Sequence, residues 1–182
     1  SLPGSGHGDG QAPDLAVPDF AAPDFGAPLR AGLVQLSVSD DPEANLPETR
    51  ALIREAAQGG ASWVLTPEAT NILNADRDTQ ERVLHLEGDD PTLAALRADA
   101  QALGIWLLIG SLSLKVADSR DGRFANRSFL IGPDGCIRAR YDKLHMFDVT
   151  VSETESYRES AAFRPGESAV LGRGPWPIGM TV

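Results

Sequence analysis

The sequence is poor in several residue types, and each shortage excludes a class of protein. A single cysteine, Cys136, in 182 residues cannot form an internal disulfide or a multi-cysteine zinc site. Three histidines without clustered spacing also argue against zinc. No apolar run approaches the ~18 residues of a membrane-spanning helix, and no signal-peptide pattern opens the chain. A reducing, cytoplasmic compartment fits these features.

Positive charge is scarce as well. Sixteen Lys and Arg residues against 26 Asp and Glu residues give a formal net charge of -10. This balance argues against nucleic acid or an anionic membrane as the main partner, although it does not identify a substrate. Hydrophobic residues make up 42% of the chain, which is ordinary for a globular protein, and the length allows one domain with a sizeable core.

The first 29 residues differ from the rest, since they contain no Lys or Arg and repeat a Pro-Asp step every five residues. Proline lacks an amide donor and restrains the preceding residue to extended conformations. We therefore predict that residues 1–29 form a disordered acidic tail or a segment that is not native. The alternative is an arm that docks Leu15, Phe20 and Phe25 on a neighbouring subunit.

Beyond Leu29 the sequence alternates between strand-like and helix-like segments. Asn45 with Glu48 has the spacing of a capping box, which predicts that the first helix begins there and ends at Gly59. Asp90 is a good N-cap for a second helix over 91–103. Strands are predicted at about 31–38, 62–65, 105–114, 128–131, 137–141, 169–171 and 177–182, with a loop over 144–166 and a last turn at Gly172–Gly174.

This order of elements predicts an α/β fold in which helices lie outside a mixed sheet. The last segment alternates apolar residues from Trp176 to Val182, as a half-buried strand does, and no helix follows to cover it. We therefore expect residues 30–182 to be the front part of a longer domain.

Two charged residues stand at predicted strand ends, where α/β folds commonly place their sites. Glu68 there is either a general base or an exposed loop residue. Lys143 is either an inward cation that stabilises an anion or a surface lysine. The segment 157–160, which contains Glu159, holds a second site carboxylate or is a polar loop.

Other candidates carry weaker signals. His145 could act as a base or a ligand, whereas His85 fits a packing or loop role. Cys136 has neither a neighbouring histidine nor a helix N-terminus to lower the pKa of its thiol, so we predict a structural or incidental cysteine.

Four blocks in this order resemble the nitrilase, or carbon–nitrogen hydrolase, superfamily. They are AGLVQL at 31–36, VLTPE at 64–68, RYDKLHMFD at 140–148, and SYRES at 156–160 followed by FRPG at 163–166. The resemblance spans about 30–182, and the block around Lys143 is its most specific element. Within the superfamily, the chain is most similar to the deaminated glutathione amidases and ω-amidases.

The resemblance implies hydrolysis of the C–N bond of a small, acidic amide through a cysteine thioester. Glu68 matches the general base, Lys143 the cation that stabilises the tetrahedral intermediate, and Glu159 the second glutamate, which orients Lys143 and the substrate. The nucleophilic cysteine is expected directly after Val182. The implied fold is a four-layer α-β-β-α sandwich in a homodimer or larger homo-oligomer, and no metal or organic cofactor is implied.

Two other interpretations stay open at this point. The chain could be a non-catalytic nitrilase-like protein or fragment that works by binding and assembly. It could also be an α/β domain in which Glu68 and Lys143 form a structural ion pair.

Overall fold

A computed structural model describes residues 29–74, 76–117, 119, 121–152 and 156–182. The predicted tail, with Leu15, Phe20 and Phe25, lies outside the described residues apart from Leu29. The described strands are β1 (Ala31–Leu33), β2 (Trp63–Leu65), β3 (Trp106–Leu114), β4 (Ala125–Ile131), β5 (Ile137–Asp142), β6 (Asp148–Thr150), β7 (Ser156–Arg158), β8 (Val170–Arg173) and β9 (Pro177–Met180). The described helices are α1 (Pro42–Gln58), α2 (Arg77–Val83), α3 (Pro91–Leu103) and α4 (Glu159–Ala162), with a 3-10 helix at Glu87–Asp89.

The main sheet has five strands in the order β1-β2-β3-β4-β5. Strands β1, β2 and β3 run parallel, because helices α1 and α3 carry the chain back between them, and β4 and β5 are antiparallel additions joined by a tight hairpin. The predicted α/β fold with a mixed sheet is confirmed.

Helices α1 and α3 cover one face of this sheet. Ile53 of α1 and Leu96 of α3 are fully buried against Val64 and Leu107 of the neighbouring strands. Each such side chain contributes roughly 1.5–3 kcal/mol by leaving water. Asp99 of α3 is a charged residue that also takes part in the contact between the two helices. None of the sequence patterns indicated this role.

The opposite face of the sheet is partly covered by the hairpin of β8 and β9. Trp63 of β2 stacks between Trp106 of β3, at 6.0 Å between ring centroids, and Trp176 of the hairpin turn, at 5.2 Å. The same face holds Leu130 and Met180 in one apolar cluster. The hairpin is therefore fixed to the sheet by aromatic stacking as well as by burial.

A bulge in β3 changes which side chains face the helices. Ile109 pairs with Phe129 and Leu112 with Arg127, so β3 has one residue more than β4 over this stretch. Ile109 and Leu112 consequently both enter the core beside the helices, although they are three residues apart. We infer that the extra residue changes the direction of the polar side chains near the end of β3, including those of Ser111 and Ser113.

The start of α1 corrects one prediction. The helix begins at Pro42, and the carboxylate of Asp41 caps it by accepting from the N–H groups of Glu43 and Ala44 at 2.9 and 3.2 Å. Asn45 is not the N-cap, because its buried amide binds loops instead: Oδ1 accepts from Ser39 N–H and Nδ2 donates to the Asn71 carbonyl, both at 3.0 Å.

Helix α3 matches its predicted limits. Asp90 accepts from the N–H of Leu93 at 2.7 Å, and Gly104 closes the helix with a positive φ of 64°. All the signals used were local, which is why the limits are right.

Several short elements were missed or misplaced. The predicted loop 144–166 contains β6, β7 and α4, and the segment before the 3-10 helix forms α2. Strand β1 ends at Leu33 rather than near residue 38, and the last turn lies at 174–176 because Gly172 pairs with Ile178 in the hairpin. These elements are three to seven residues long, too short to show a period.

Among the described residues no helix combines the length and apolar character needed to cross a bilayer.

Candidate active site

Glu68 lies in a segment that leaves the carboxyl end of β2 and is fixed to β3. The N–H groups of Thr66 and Thr70 donate to the carbonyls of Leu108 and Ser111 at 3.0 and 2.9 Å. Ala69 donates to Ser111 Oγ at 2.9 Å and has a φ of 56°, in the left-handed region that favours glycine. A strained alanine held by its neighbours is typical of functional sites.

Lys143 follows the last residue of β5. Its N–H donates to the carbonyl of Asn126 in β4 at 2.9 Å, which continues the sheet pairing by one residue. Its carbonyl accepts from the N–H of Gly166 at 2.8 Å. A Cβ on Gly166 would overlap the backbone of Asp142, so the glycine permits the close approach that fixes the lysine from its second side.

Glu159 is the first residue of α4, directly after β7. Its N–H donates to the carbonyl of Phe147 at 3.2 Å, and its Oε2 accepts from the N–H of Phe147 at 2.7 Å. The hairpin of β6 and β7 therefore carries Glu159 back to the Lys143 segment, and 94% of the Glu159 side chain is buried, since its exposed fraction is 6%.

The structure brings these three predicted residues together. Lys143 Nζ lies 2.9 Å from Glu68 Oε1 and 2.9 Å from Glu159 Oε2. The side chains differ in exposure: Lys143 is 11% and Glu159 6% exposed, whereas Glu68 is 48% exposed. Two groups are therefore fixed inside the protein, and the third reaches solvent.

The charges around Lys143 keep it protonated. Burial by itself lowers the pKa of the ammonium, but the hydrogen bonds to Glu68 and Glu159 outweigh it, so the pKa of Lys143 is raised above its ordinary value. A permanent cation beside a solvent-reaching carboxylate can stabilise an oxyanion while the carboxylate exchanges a proton.

Asn126 completes the site and was not predicted. Its Nδ2 donates to Glu68 Oε1 at 2.8 Å and to Glu159 Oε1 at 3.2 Å, and the residue is 7% exposed. Its Oδ1 is buried without a hydrogen-bond partner among the described residues. An amide among the buried positions of a strand was the signal that could have drawn attention to it.

A cavity of about 340 Å³ opens beside these groups. Phe147 and Tyr157 form an aromatic pair there, with ring centroids 5.9 Å apart. Burial, followed by the charge of Glu159, raises the pKa of the Tyr157 hydroxyl, so it remains a proton donor at neutral pH. The residues around the cavity are Glu68, Ala69, Ile72, Leu73, Asn74, Gln80, Ser113, Asn126, Lys143, Phe147, Tyr157, Glu159 and Phe163.

Other candidates lie elsewhere. His145 is exposed and does not line the cavity, and His85 is an exposed loop residue after α2. Cys136 is exposed at the opposite end of β5 from Lys143, roughly 20 Å away at ~3.3 Å per residue.

A larger depression of about 640 Å³ is lined by several arginines but by none of the three predicted site residues. Three of its arginines are already paired: Arg127 with Glu87 and Asp142, Arg140 with Glu87, and Arg123 with Asp121. We therefore place the candidate site in the smaller cavity, where the carboxylates and the ammonium converge.

Comparisons with known proteins identify relatives of this chain. The chain is 32% identical over 152 residues to the deaminated glutathione amidase of Yersinia enterocolitica, covering 82% of this chain and 52% of that protein. It is 34% identical over 139 residues to the omega-amidase NIT2-B of Xenopus laevis, covering 76% and 48%. The chain thus spans about half the length of the curated relatives it matches.

Among solved structures, the NitFhit protein of C. elegans superposes with a TM-score of 0.69 at 25% identity, covering 78% of this chain and 34% of that one. An amidase from Nesterenkonia sp. superposes with a TM-score of 0.62 at 25% identity, covering 81% and 52%. The model of the carbon-nitrogen hydrolase family matches residues 30–180. The chain therefore belongs to the carbon-nitrogen hydrolase family, within the nitrilase superfamily.

Proposed function

We propose that the protein containing this chain hydrolyses the C–N bond of a small amide through a cysteine thioester. Glu68 is the general base, Lys143 stabilises the oxyanion, and Glu159 orients Lys143. The observation that carries the proposal is the position of Lys143 Nζ, 2.9 Å from an exposed carboxylate on one side and 2.9 Å from a buried one on the other.

The nucleophile in this proposal is a cysteine directly after Val182. Val182 and Leu144, the residue after Lys143, pack against the same apolar cluster.

The proposed reaction divides a difficult displacement into two steps. Glu68 takes the thiol proton, the sulfur bonds to the amide carbon, and Lys143 stabilises the negative oxygen. The C–N bond then breaks as Glu68 returns the proton to the departing nitrogen. In the second step Glu68 removes a proton from water, whose oxygen displaces the sulfur. Glu68 then returns that proton to the sulfur, which regenerates the thiol and frees the acid.

The proposed substrate is a small amide with an acidic acyl group, by analogy with the relatives named as a deaminated glutathione amidase and an omega-amidase. Lys143 is the one cation among the described residues of the cavity, and both its neighbours are carboxylates. Residues other than Lys143 and its two neighbouring carboxylates therefore have to bind the acid group of the substrate. Comparing kcat/KM for acidic and neutral amides of equal length tests this part of the proposal.

The central experiment measures amide hydrolysis by the full-length protein and its variants. Glu68→Gln and Lys143→Ala are each expected to lower kcat/KM by about 100-fold or more, because each removes a charge that acts in the transition state. Glu87→Gln is the matched control, since Glu87 also bridges two cations, Arg127 and Arg140, away from the cavity. It should retain near-normal turnover.

The same experiment decides between catalysis and a structural ion pair. If Glu68→Gln and Lys143→Ala lose stability but keep turnover, the pair is structural and the proposal is wrong. Lost turnover with a retained folded state supports it.

Assembly into a homo-oligomer in the cytoplasm is part of the same proposal, and sedimentation of the full-length protein tests the assembly.

A further inference from the structure

Four polar side chains at the site form a closed ring of hydrogen bonds. Lys143 Nζ donates to Glu68 Oε1 and Glu159 Oε2, and Asn126 Nδ2 donates to Glu68 Oε1 and Glu159 Oε1. Both donors therefore bridge the same two carboxylates. One donor is charged and the other is neutral.

The ring treats the two carboxylates differently. Glu159 uses both oxygens, one for each donor, and is also held by the N–H of Phe147. Glu68 uses Oε1 for both donors, at 2.8 and 2.9 Å, and its Oε2 has no hydrogen bond within the described part of the chain. Since the Glu68 side chain is 48% exposed and lines the cavity, its open oxygen is accessible.

We propose that Asn126 is a positioning residue that engages Glu68 Oε1 and so leaves Oε2 as the oxygen that exchanges the proton. This inference rests on the proposed function, in which Glu68 is the base. A neutral donor suits the task because it holds two carboxylates near one ammonium without changing the net charge of the site. A second cation in its place would stabilise both carboxylates and make Glu68 a weaker base.

The orientation of the Asn126 amide is determined by its contacts. Both acceptors of Nδ2 are carboxylate oxygens, which cannot donate while ionised, so the nitrogen must face them. Within the described part of the chain this leaves Oδ1 buried without a hydrogen-bond partner, which is a cost that a residue kept for packing alone would not impose. The backbone of Asn126 also holds Lys143, through its carbonyl at 2.9 Å.

The ionisable groups that face Glu68 are Lys143 from the end of β5, Glu159 from α4 and Tyr157 from β7. Asn126 of β4 adds a neutral donor among them. Because a donor favours the ionised form of a carboxylate, its loss moves the acid limb of the activity profile to higher pH.

The test measures kcat and KM across pH for Asn126→Ala and Asn126→Ser in the full-length protein. We expect kcat to fall roughly 10- to 100-fold in Asn126→Ala, because the base is no longer held, and the acid limb of the activity profile to move to higher pH. Asn126→Ser, whose short hydroxyl can reach at most one carboxylate, is expected to show a smaller shift, and it serves if the alanine variant does not fold.

Asn71→Ala is the matched control. Asn71 is another buried asparagine, bound to the backbone of Ser113 by its Oδ1 and Nδ2, both at 2.9 Å, and among the described residues its side chain makes no hydrogen bond to either carboxylate. Its loss should lower stability and leave the acid limb in place.

The outcomes separate this inference from the proposed function. An unmoved acid limb in folded Asn126 variants overturns the inference, and so does an equal shift in Asn71→Ala. If Glu68→Gln itself keeps full turnover in the same assay, the proposed function fails instead.

Discussion

Gly110 of β3 lies directly against Thr66 at the start of the segment that carries Glu68. The N–H of Gly110 donates to Thr66 Oγ1 at 3.2 Å, and a Cβ at position 110 would overlap the carbonyl oxygen of Thr66 and the backbone of Pro67. The missing side chain thus allows the strand and the Glu68 segment to touch, at the position where β3 bulges.

Gly110→Ala is expected to displace the Glu68 segment. The added methyl group forces the Thr66–Pro67 backbone away from β3 and costs about 1–3 kcal/mol of unfolding free energy. Because Glu68 moves with that backbone, kcat should fall more than stability alone explains. Denaturant unfolding and amide turnover of the full-length protein measure the two effects.

Gly88→Ala is the control for this change, since a Cβ at Gly88 meets nothing within 4 Å. Normal turnover in Gly110→Ala would show that the close approach does not position Glu68.

Asp99 is predicted to stabilise the helix layer in a pH-dependent way. Burial raises the pKa of this carboxyl, but the hydrogen bonds from Arg50 and Arg54 of α1 outweigh it and hold the pKa below its ordinary value. A lowered folded-state pKa gives stability that is present above the unfolded-state value and is lost as the pH falls through the folded-state value. Asp99→Asn should therefore cost about 2 kcal/mol at neutral pH.

Denaturant unfolding at pH 7 and near pH 3 checks this prediction. The difference between Asp99→Asn and the parent should shrink in acid. Glu81→Gln, which breaks the exposed pair with Arg77, is expected to change stability by less than about 0.5 kcal/mol. An Asp99→Asn penalty that does not depend on pH would contradict the assignment.

Asp90 has the opposite pH dependence. Burial raises the pKa of this N-cap carboxyl, so the folded state favours the protonated form. Its contribution is fully present below the ordinary pKa and is lost as the pH rises through the raised value. Asp90→Asn keeps an oxygen acceptor for the Leu93 N–H without the buried charge, and should be at least as stable as the parent at pH 7.

Asp90→Ala removes the cap and should lose about 1 kcal/mol. Thermal unfolding of the two variants at neutral pH distinguishes the cap from the charge. Equal losses in both would mean that the carboxylate charge itself is needed.

Cys136→Ser is expected to leave both stability and turnover unchanged. The thiol is exposed in the β4–β5 turn, at the far end of β5 from Lys143. Thiol labelling should modify Cys136 readily in the parent without loss of amide hydrolysis. Inactivation by Cys136→Ser would require a different nucleophile assignment.

The elements that could be predicted are those specified by neighbouring residues. Helix α3 has its cap, its first-turn proline and its closing glycine within fifteen residues, and its limits were right. For helix α1 the sequence pattern predicted Asn45 as the cap, whereas Asp41 is the cap in the structure and the Asn45 amide is engaged in tertiary contacts with Ser39 and Asn71. The short strands β6 and β7 depend on tertiary contacts, and they contain too few residues to show a recognisable sequence pattern.

The same distinction between local signals and tertiary contacts applies to the residues of the candidate site. Glu68 and Lys143 stand at strand ends, so their residue types and positions marked them as candidates. Glu159 was either a second site carboxylate or part of a polar loop, and the family motifs assigned it the role of the second glutamate. Asn126 could not be found in this manner, because it contacts two carboxylates that are 58 residues and 33 residues away along the chain. Such a contact exists only once β4, α4 and the segment after β2 have come together.

The stacked tryptophans have a practical consequence for the spectroscopy of this protein. All three tryptophans of the chain belong to the one stack that fixes the β8–β9 hairpin to the sheet. Tryptophan fluorescence and the tryptophan bands of the near-ultraviolet circular dichroism from this chain therefore report on a single place, the docking of that hairpin. A variant in which the hairpin detaches from the sheet would change the tryptophan emission before the helices unfold. A change confined to the carboxylates would have almost no effect on that emission.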